Sequence, residues 1–187
     1  IRALSANHKI PPDLGATAHA RIDAALAPDH DRLARGDLVN AARITLEVLG
    51  EEQAAYDLLL KELPNAKTPY YYMSHLASLA EGRGDVPLAL DWFAKAYAVS
   101  QGPATRVRWG HSYLRALIRL TPDDTARIRT AANDVLKDIG KAESSPDRLQ
   151  ASAARLTKAL DKWATTPQRR AVALEIAQRM AGAAGAG

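Results

Sequence analysis

The chain has 187 residues, no cysteine, a single phenylalanine (Phe93) and a formal net charge of +4 from 25 basic and 21 acidic side chains. That length suffices for one domain with its own core or for a short array of repeats. The lack of cysteine excludes disulfides, thiol catalysis and thiolate zinc sites within these residues. The basic residues are dispersed in pairs such as Arg106/Arg108, Arg127/Arg129 and Arg169/Arg170, which speaks for solvated helix faces and against a nucleic-acid partner.

From the N-terminus, an opening helical segment over residues 1–36 carries a first helix expected near Pro12 to Ala27. Alanine is abundant and β-branched alternation is scarce, so helices are expected throughout. Four helix starts are marked by a hydroxyl residue before a proline: Thr68-Pro69, Thr121-Pro122, Ser145-Pro146 and Thr166-Pro167. The hydroxyl can accept from free backbone N–H groups, and proline's fixed φ suits the first helical position. Asp123 and Asp124 would add negative charge at the positive end of a helix beginning at Pro122.

Trp109, Tyr113, Leu117 and Leu120 recur with helical spacing, as do Ile128, Val135, Leu136 and Ile139. Gly50, Gly84, Gly102 and Gly140 stand where helices are expected to stop. The polar stretch Lys141 to Pro146 is the longest expected connection, and residues 182–187 are expected to form a disordered tail. About nine helices in antiparallel hairpins result, with no apolar run long enough for a membrane span and no uncleaved leader. The chain does not begin with methionine, and a fragment or processed product is expected.

A repeat underlies this layout. Leu76, Ala77 and Ala80, the turn Gly84-Asp85, then Ala89, Phe93 and Ala96 alternate large and small residues in the manner of a tetratricopeptide repeat. Gly50 stands 34 residues before Gly84, the length of that repeat class, with Ala55 and Leu59 in the places of Ala89 and Phe93. The expected fold is all-α: one domain, a right-handed array of TPR-like hairpins over residues 37–69, 70–103, 104–140 and 146–181. An irregular helical bundle is the alternative.

Few residues point to chemistry. Arg35-Gly36-Asp37 and Arg83-Gly84-Asp85 spell an adhesion tripeptide, but glycine followed by aspartate is ordinary turn and helix-start chemistry. His8, His19, His30, His75 and His111 have no metal-ligand spacing, so no metal or other cofactor is expected. The carboxylate pairs Asp29/Asp31 and Asp123/Asp124 flank expected helix starts, and no nucleophile elbow or phosphate loop occurs, so catalysis is not expected.

Tyr70, Tyr71 and Tyr72 cannot all enter one core, because successive helical residues point about 100° apart. The repeat register places Tyr71, Ser74 and Ser78 on the concave side, with Arg108, Ser112 and Arg115 one repeat on and Asn40, Ile44 and Glu47 one repeat back. An exposed tyrosine beside arginines is a candidate peptide-binding groove, since those residue types dominate binding hot spots. Coverage of the adjoining hairpin by Tyr71 is the competing reading.

The block Tyr70 to Asp124, notably Gly102 to Arg106, Trp109-Gly110 and Pro122-Asp123-Asp124, resembles the C-terminal helical region of bacterial exported thioredoxin-family proteins. There a thioredoxin fold with a cysteine pair precedes a degenerate tetratricopeptide region. The resemblance implies a periplasmic or secreted thiol-disulfide exchange protein in which this portion holds protein or peptide segments near the redox centre, its own N-terminal thioredoxin-like domain included. No redox residue carries over. A structural or dimerisation module, or a free-standing helical adaptor, is the alternative.

Overall fold

The computed structural model describes residues 10–27, 34–142 and 146–184. Every regular element among them is helical. In chain order these are α1 (Pro12–Ala25), α2 (Arg35–Val48), α3 (Glu52–Glu62) with a 3-10 turn at Leu63–Asn65, α4 (Pro69–Gly82), α5 (Val86–Val99), α6 (Pro103–Leu120), α7 (Thr125–Ala142), α8 (Pro146–Trp163) and α9 (Pro167–Ala184). None is long and apolar enough to cross a membrane among the described residues.

Proline opens α4, α8 and α9 where the sequence places it, and Pro103 opens α6. The Thr166 hydroxyl accepts from the Arg169 N–H at 3.3 Å, and the Asp85 carboxylate accepts from the Leu88 N–H at 3.2 Å at the start of α5. Thr68 makes no such bond, so proline and the following helix-forming residues set the start of α4. Ser145 lies outside the described residues.

Three expectations are corrected. α7 begins at Thr125, not Pro122: the Thr121 N–H closes α6 on the Leu117 carbonyl at 2.9 Å, and the chain then needs a turn to reverse. Asp124 is the capping residue, its carboxylate accepting from the Arg127 N–H at 3.0 Å. Gly140 does not end a helix, because α7 runs on to Ala142. The expected tail is in part helical, since α9 continues through Gly182 to Ala184, and residues 185–187 lie outside the described set.

Gly50 and Gly84 do reverse the chain, with φ of 81° and 77°, a region that costs side-chain-bearing residues about 1–2 kcal/mol. The large and small positions of the repeat pattern, Ala55, Leu59, Leu76, Ala77, Ala80, Ala89, Phe93 and Ala96, are all buried. In α6 the inward line is displaced from the expected one. Trp109 and Leu117 are buried, but Tyr113 and Leu120 are half-buried and the line is completed by Val107, Gly110 and Leu114.

The chain divides into two compact units, Ile1–Arg83 and Gly84–Gly187. In the first, α1 packs on α2, α2 on α3 and α3 on α4, over a core of Val39, Leu46, Leu59 and Leu76. In the second, α5 packs on α6, α6 most extensively on α7, and α7, α8 and α9 on one another, over Leu114, Ile128, Val135, Leu156 and Ile176. Each fully buried Leu or Ile of this kind contributes roughly 2–3 kcal/mol. The division falls inside residues 70–103, so α4 belongs to one unit and α5 to the other.

Candidate functional site

In the first unit, the residues expected to line a groove meet around one they did not include. Arg43 is 8% exposed, low for an arginine. Its Nη1 donates to Glu47 Oε1 at 2.6 Å, while Nε and Nη2 donate to Asn40 Oδ1 at 3.3 and 2.8 Å. The guanidinium thus fixes two of the expected residues, and the Asn40 amide meets it through its oxygen. Glu47 neutralises the arginine, as a buried charge requires.

Opposite, α4 contributes His75 and Ser78 to a depression of about 220 Å³ shared with Arg43, Glu47, Glu52, Leu79 and Gly82. Burial, and then the charge of Arg43, push the His75 imidazole below its ordinary range, against a smaller opposing pull from Glu47. Ser78 is exposed, and its hydroxyl donates to the Ser74 carbonyl at 3.1 Å. Ile44 is half-buried.

The three tyrosines separate as the helix geometry demands. Tyr72 is buried, and Tyr71 is 39% exposed with its ring tilted against Tyr70 at 5.1 Å between centroids.

The second unit carries the other three expected residues on α6. Arg108 and Arg115 are exposed and Ser112 is half-buried. Between them His111 faces inward, its Nε2 buried and without a hydrogen-bond partner. Burial, then the charges of Arg155 on α8 and Arg115 one turn along α6, lower this ring to about 4. Arg155 is itself held by its own helix, Nη2 donating to the buried Ser152 hydroxyl at 2.7 Å.

The lowered His111 gives a pH prediction. Its ordinary value is 6.5, so below that pH the unfolded chain takes up a proton that the folded chain refuses until about pH 4. Stability is therefore full above pH 6.5 and falls as the pH is lowered toward 4. The loss from this ring is on the order of 2 kcal/mol, below the fully buried limit because solvent reaches part of it. Urea midpoints at pH 7 and pH 4.5 should converge in His111→Gln relative to the native chain; equal slopes in both proteins would refute the assignment.

A second depression in this unit, about 410 Å³, is lined by Tyr97, Tyr113, Arg127, Thr130, Asp124 and Asp134 among others. Tyr97 belongs in turn to a polar cluster. The Tyr97 hydroxyl donates to Asp138 Oδ2 at 2.5 Å, and Arg106 Nε donates to both Asp138 oxygens at 3.2 and 3.1 Å while its guanidinium lies 4.7 Å from the Tyr97 ring centre. Burial first, then the Asp138 hydrogen bond, raise the Tyr97 hydroxyl well above its ordinary range. Arg127 Nε donates to the Tyr113 hydroxyl at 2.7 Å on the wall.

The chain matches no family model, no curated protein and no solved structure. The site must therefore be read from its own chemistry.

Both adhesion tripeptides are tied down by their arginines. Arg35 donates to Glu62 through Nε and Nη2 at 3.0 and 2.6 Å and to the Leu26 carbonyl at 2.7 Å. Arg83 donates to Gln53 at 2.6 Å and covers the Tyr56 ring at 4.3 Å. Asp124 is spent on its cap and Asp123 on Arg169 at 2.7 Å, while His19 meets Glu51 at 2.9 Å. Asp29, Asp31, His8 and His30 lie outside the described residues, and His75 and His111 fall in different units. Among the described residues no three His, Asp or Glu side chains come together as metal ligands.

Sequence reasoning missed Arg43, Arg155 and Asp138. Arg43 alone had a local signal, a four-residue step to Glu47 that helical ion pairs use.

Proposed function

We propose that the chain is a non-catalytic interaction domain built of TPR-like hairpins that holds extended protein or peptide segments. We further propose that it is the C-terminal accessory part of an exported thioredoxin-fold thiol-disulfide oxidoreductase, acting in the periplasm or outside the cell. The observation that carries the interaction reading is the α2 and α4 face of the first unit. A buried guanidinium there holds an asparagine and a glutamate on one helix, and the glutamate lines a shallow depression. Oriented amides of this kind suit a main chain that lacks regular partners, since each peptide unit offers one donor and one acceptor. Tyr71 on α4 supplies the exposed aromatic that such surfaces use as an anchor. The α6 face, with Arg108, Ser112 and Arg115, is the counterpart in the second unit.

The expected result is that an alkylated, permanently unfolded protein binds the native chain and that Tyr71→Ala and Arg108→Glu each weaken that binding by roughly tenfold, the range of one hot-spot contact. Unchanged binding by fluorescence anisotropy in both variants would refute the placement. Insulin reduction by a thioredoxin-fold domain fused upstream, with and without this chain, tests the redox association.

A second reading, a module that dimerises a parent protein, draws on Leu174, which is 60% exposed on α9. Sedimentation at rising concentration separates the two: a dimer supports this reading, whereas a monomer whose melting temperature rises with added peptide supports the first.

A further inference from the structure

We propose that the depression lined by α2, α3 and α4 in the first unit is a lysine-recognition pocket, which takes the ammonium group of a lysine side chain from the extended segment that the domain holds. The inference rests on the interaction reading and names the residue that the held segment must carry.

Size bears on the kind of ligand. At about 220 Å³ the depression is smaller than the roughly 300–1,000 Å³ of sites that enclose a whole small molecule, so it suits one side chain of a longer chain. It is open to that side chain, since Ser78 and Gly82 on its lining are exposed and a Cβ on Gly82 would meet no atom within 4 Å. Leu79 gives an alkyl stem an apolar wall.

Charge decides what stands at the end of the stem. The lining holds one arginine and two glutamates. Arg43 is answered by Glu47 at 2.6 Å, and burial above all keeps His75 neutral at pH 7, so the charge of Glu52 is left over. Glu52 stands in the first turn of α3, where the helix dipole favours an ionised carboxylate. Both of its chain neighbours hold basic side chains: Glu51 meets His19 at 2.9 Å, and Gln53 accepts from Arg83 at 2.6 Å. Glu52 alone of the three lines the depression, and it has no hydrogen-bond or ion-pair partner among the described residues.

Geometry favours an ammonium over a guanidinium. The acceptors come from three helices: Glu47 Oε2 on α2, whose Oε1 is taken by Arg43; the Glu52 carboxylate on α3; and the Ser78 hydroxyl on α4, which donates to the Ser74 carbonyl at 3.1 Å and keeps its lone pairs. An ammonium directs three donors to different sides, whereas a guanidinium needs acceptors paired in its own plane. Arg43, 8% exposed, holds Glu47 in place, so that acceptor is set before a ligand arrives.

The probe is Nα-acetyl-lysine methylamide, titrated to about 50 mM at constant ionic strength because a lone side chain binds weakly. The His75 ring is followed by NMR. Its resonances should shift with this probe and not with the norleucine analogue. Affinity should fall about three- to fivefold in Glu52→Gln, the worth of a partly exposed charge pair. It should be unchanged in Asp57→Asn, which removes the same charge from α3 outside the depression. Equal response to both probes, equal loss in both variants, or a preference for the arginine analogue overturns the inference.

Labelled decapeptides then follow, acetylated at the N-terminus and bearing one central lysine or norleucine, with the norleucine peptide also made with a free N-terminus. The lysine peptide should bind roughly tenfold more tightly than its acetylated norleucine counterpart, the worth of a charge-assisted hydrogen bond. Tight binding conferred by the free N-terminus alone assigns the pocket to a chain terminus and overturns the lysine reading. A His75 ring that responds to the lysine probe in a protein that binds no peptide keeps the pocket and removes the interaction reading. Lysine and norleucine peptides that bind equally keep the interaction reading and remove the inference.

Discussion

Asp138→Ala is expected to lower stability by about 3–5 kcal/mol, the range seen when one partner of a buried ion pair is removed. Asp138 is 6% exposed and receives both the Tyr97 hydroxyl and the Arg106 guanidinium, so its loss strands a phenol from α5 and a cation from α6 against α7. Arg106 is about one-third exposed, and water can take up part of its charge, which places the effect toward the lower end of that range. Asp138→Asn keeps an acceptor for the phenol and should cost roughly half as much, since a neutral hydrogen bond is about half as strong as a charged one. Urea denaturation at neutral pH measures both. If Asp138→Ala unfolds within about 1 kcal/mol of the native chain, the cluster contributes orientation and no net stability.

Gly110→Val is expected to prevent folding of the second unit or to destabilise it by more than about 3 kcal/mol, beyond ordinary overpacking. A Cβ at this position would lie 2.8 Å from Val135 Cγ2 and 3.1 Å from Cε2 and Cζ of Tyr97. Helix α6 therefore approaches α5 and α7 across a residue that has no side chain. Gly110→Ala should cost less, about 1–2 kcal/mol, because alanine recovers about 1 kcal/mol of helix propensity against the clash. A double-mutant cycle with Val135→Ala checks the cause: the two changes together should be less harmful than their sum. Strict additivity would place the strain elsewhere.

What the sequence made legible was local. A proline at the first helical position needs only its own ring and a free N–H count, and three of the four marked starts, Pro69, Pro146 and Pro167, followed from it. The start of α7 did not, because a helix boundary also depends on how the previous helix ends. The Thr121 N–H is still bonded to Leu117, so Pro122 and Asp123 are used in turning. Gly140 misled for the complementary reason: glycine permits a stop, but α7 had already gained enough contact with α6 to continue.

The site divides along the same line. Tyr71, Asn40 and Glu47 were chosen by register, a property of one helix at a time. Arg155 acts on a ring in another helix, and Asp138 gathers its partners from two helices, 32 and 41 residues back in the chain. Such pairs become visible only when helices are packed. Arg43 falls between these cases, since both Asn40 and Glu47 are on its own helix, but an inward-facing arginine runs against the hydrophobic rule used to choose the buried face.

The division at Arg83/Gly84 has a spectroscopic consequence. Trp92, Trp109 and Trp163, the only tryptophans in the chain, all follow the division. Trp109 and Trp163 are buried, and the Trp163 indole donates to the Pro122 carbonyl at 2.8 Å, so their emission reports the packing of the second unit. The first unit is dark at the tryptophan band and contributes to the far-ultraviolet helix signal alone. Fluorescence thus watches the second unit and circular dichroism both, and the gap between their melting curves is a direct reading of whether the halves unfold in concert.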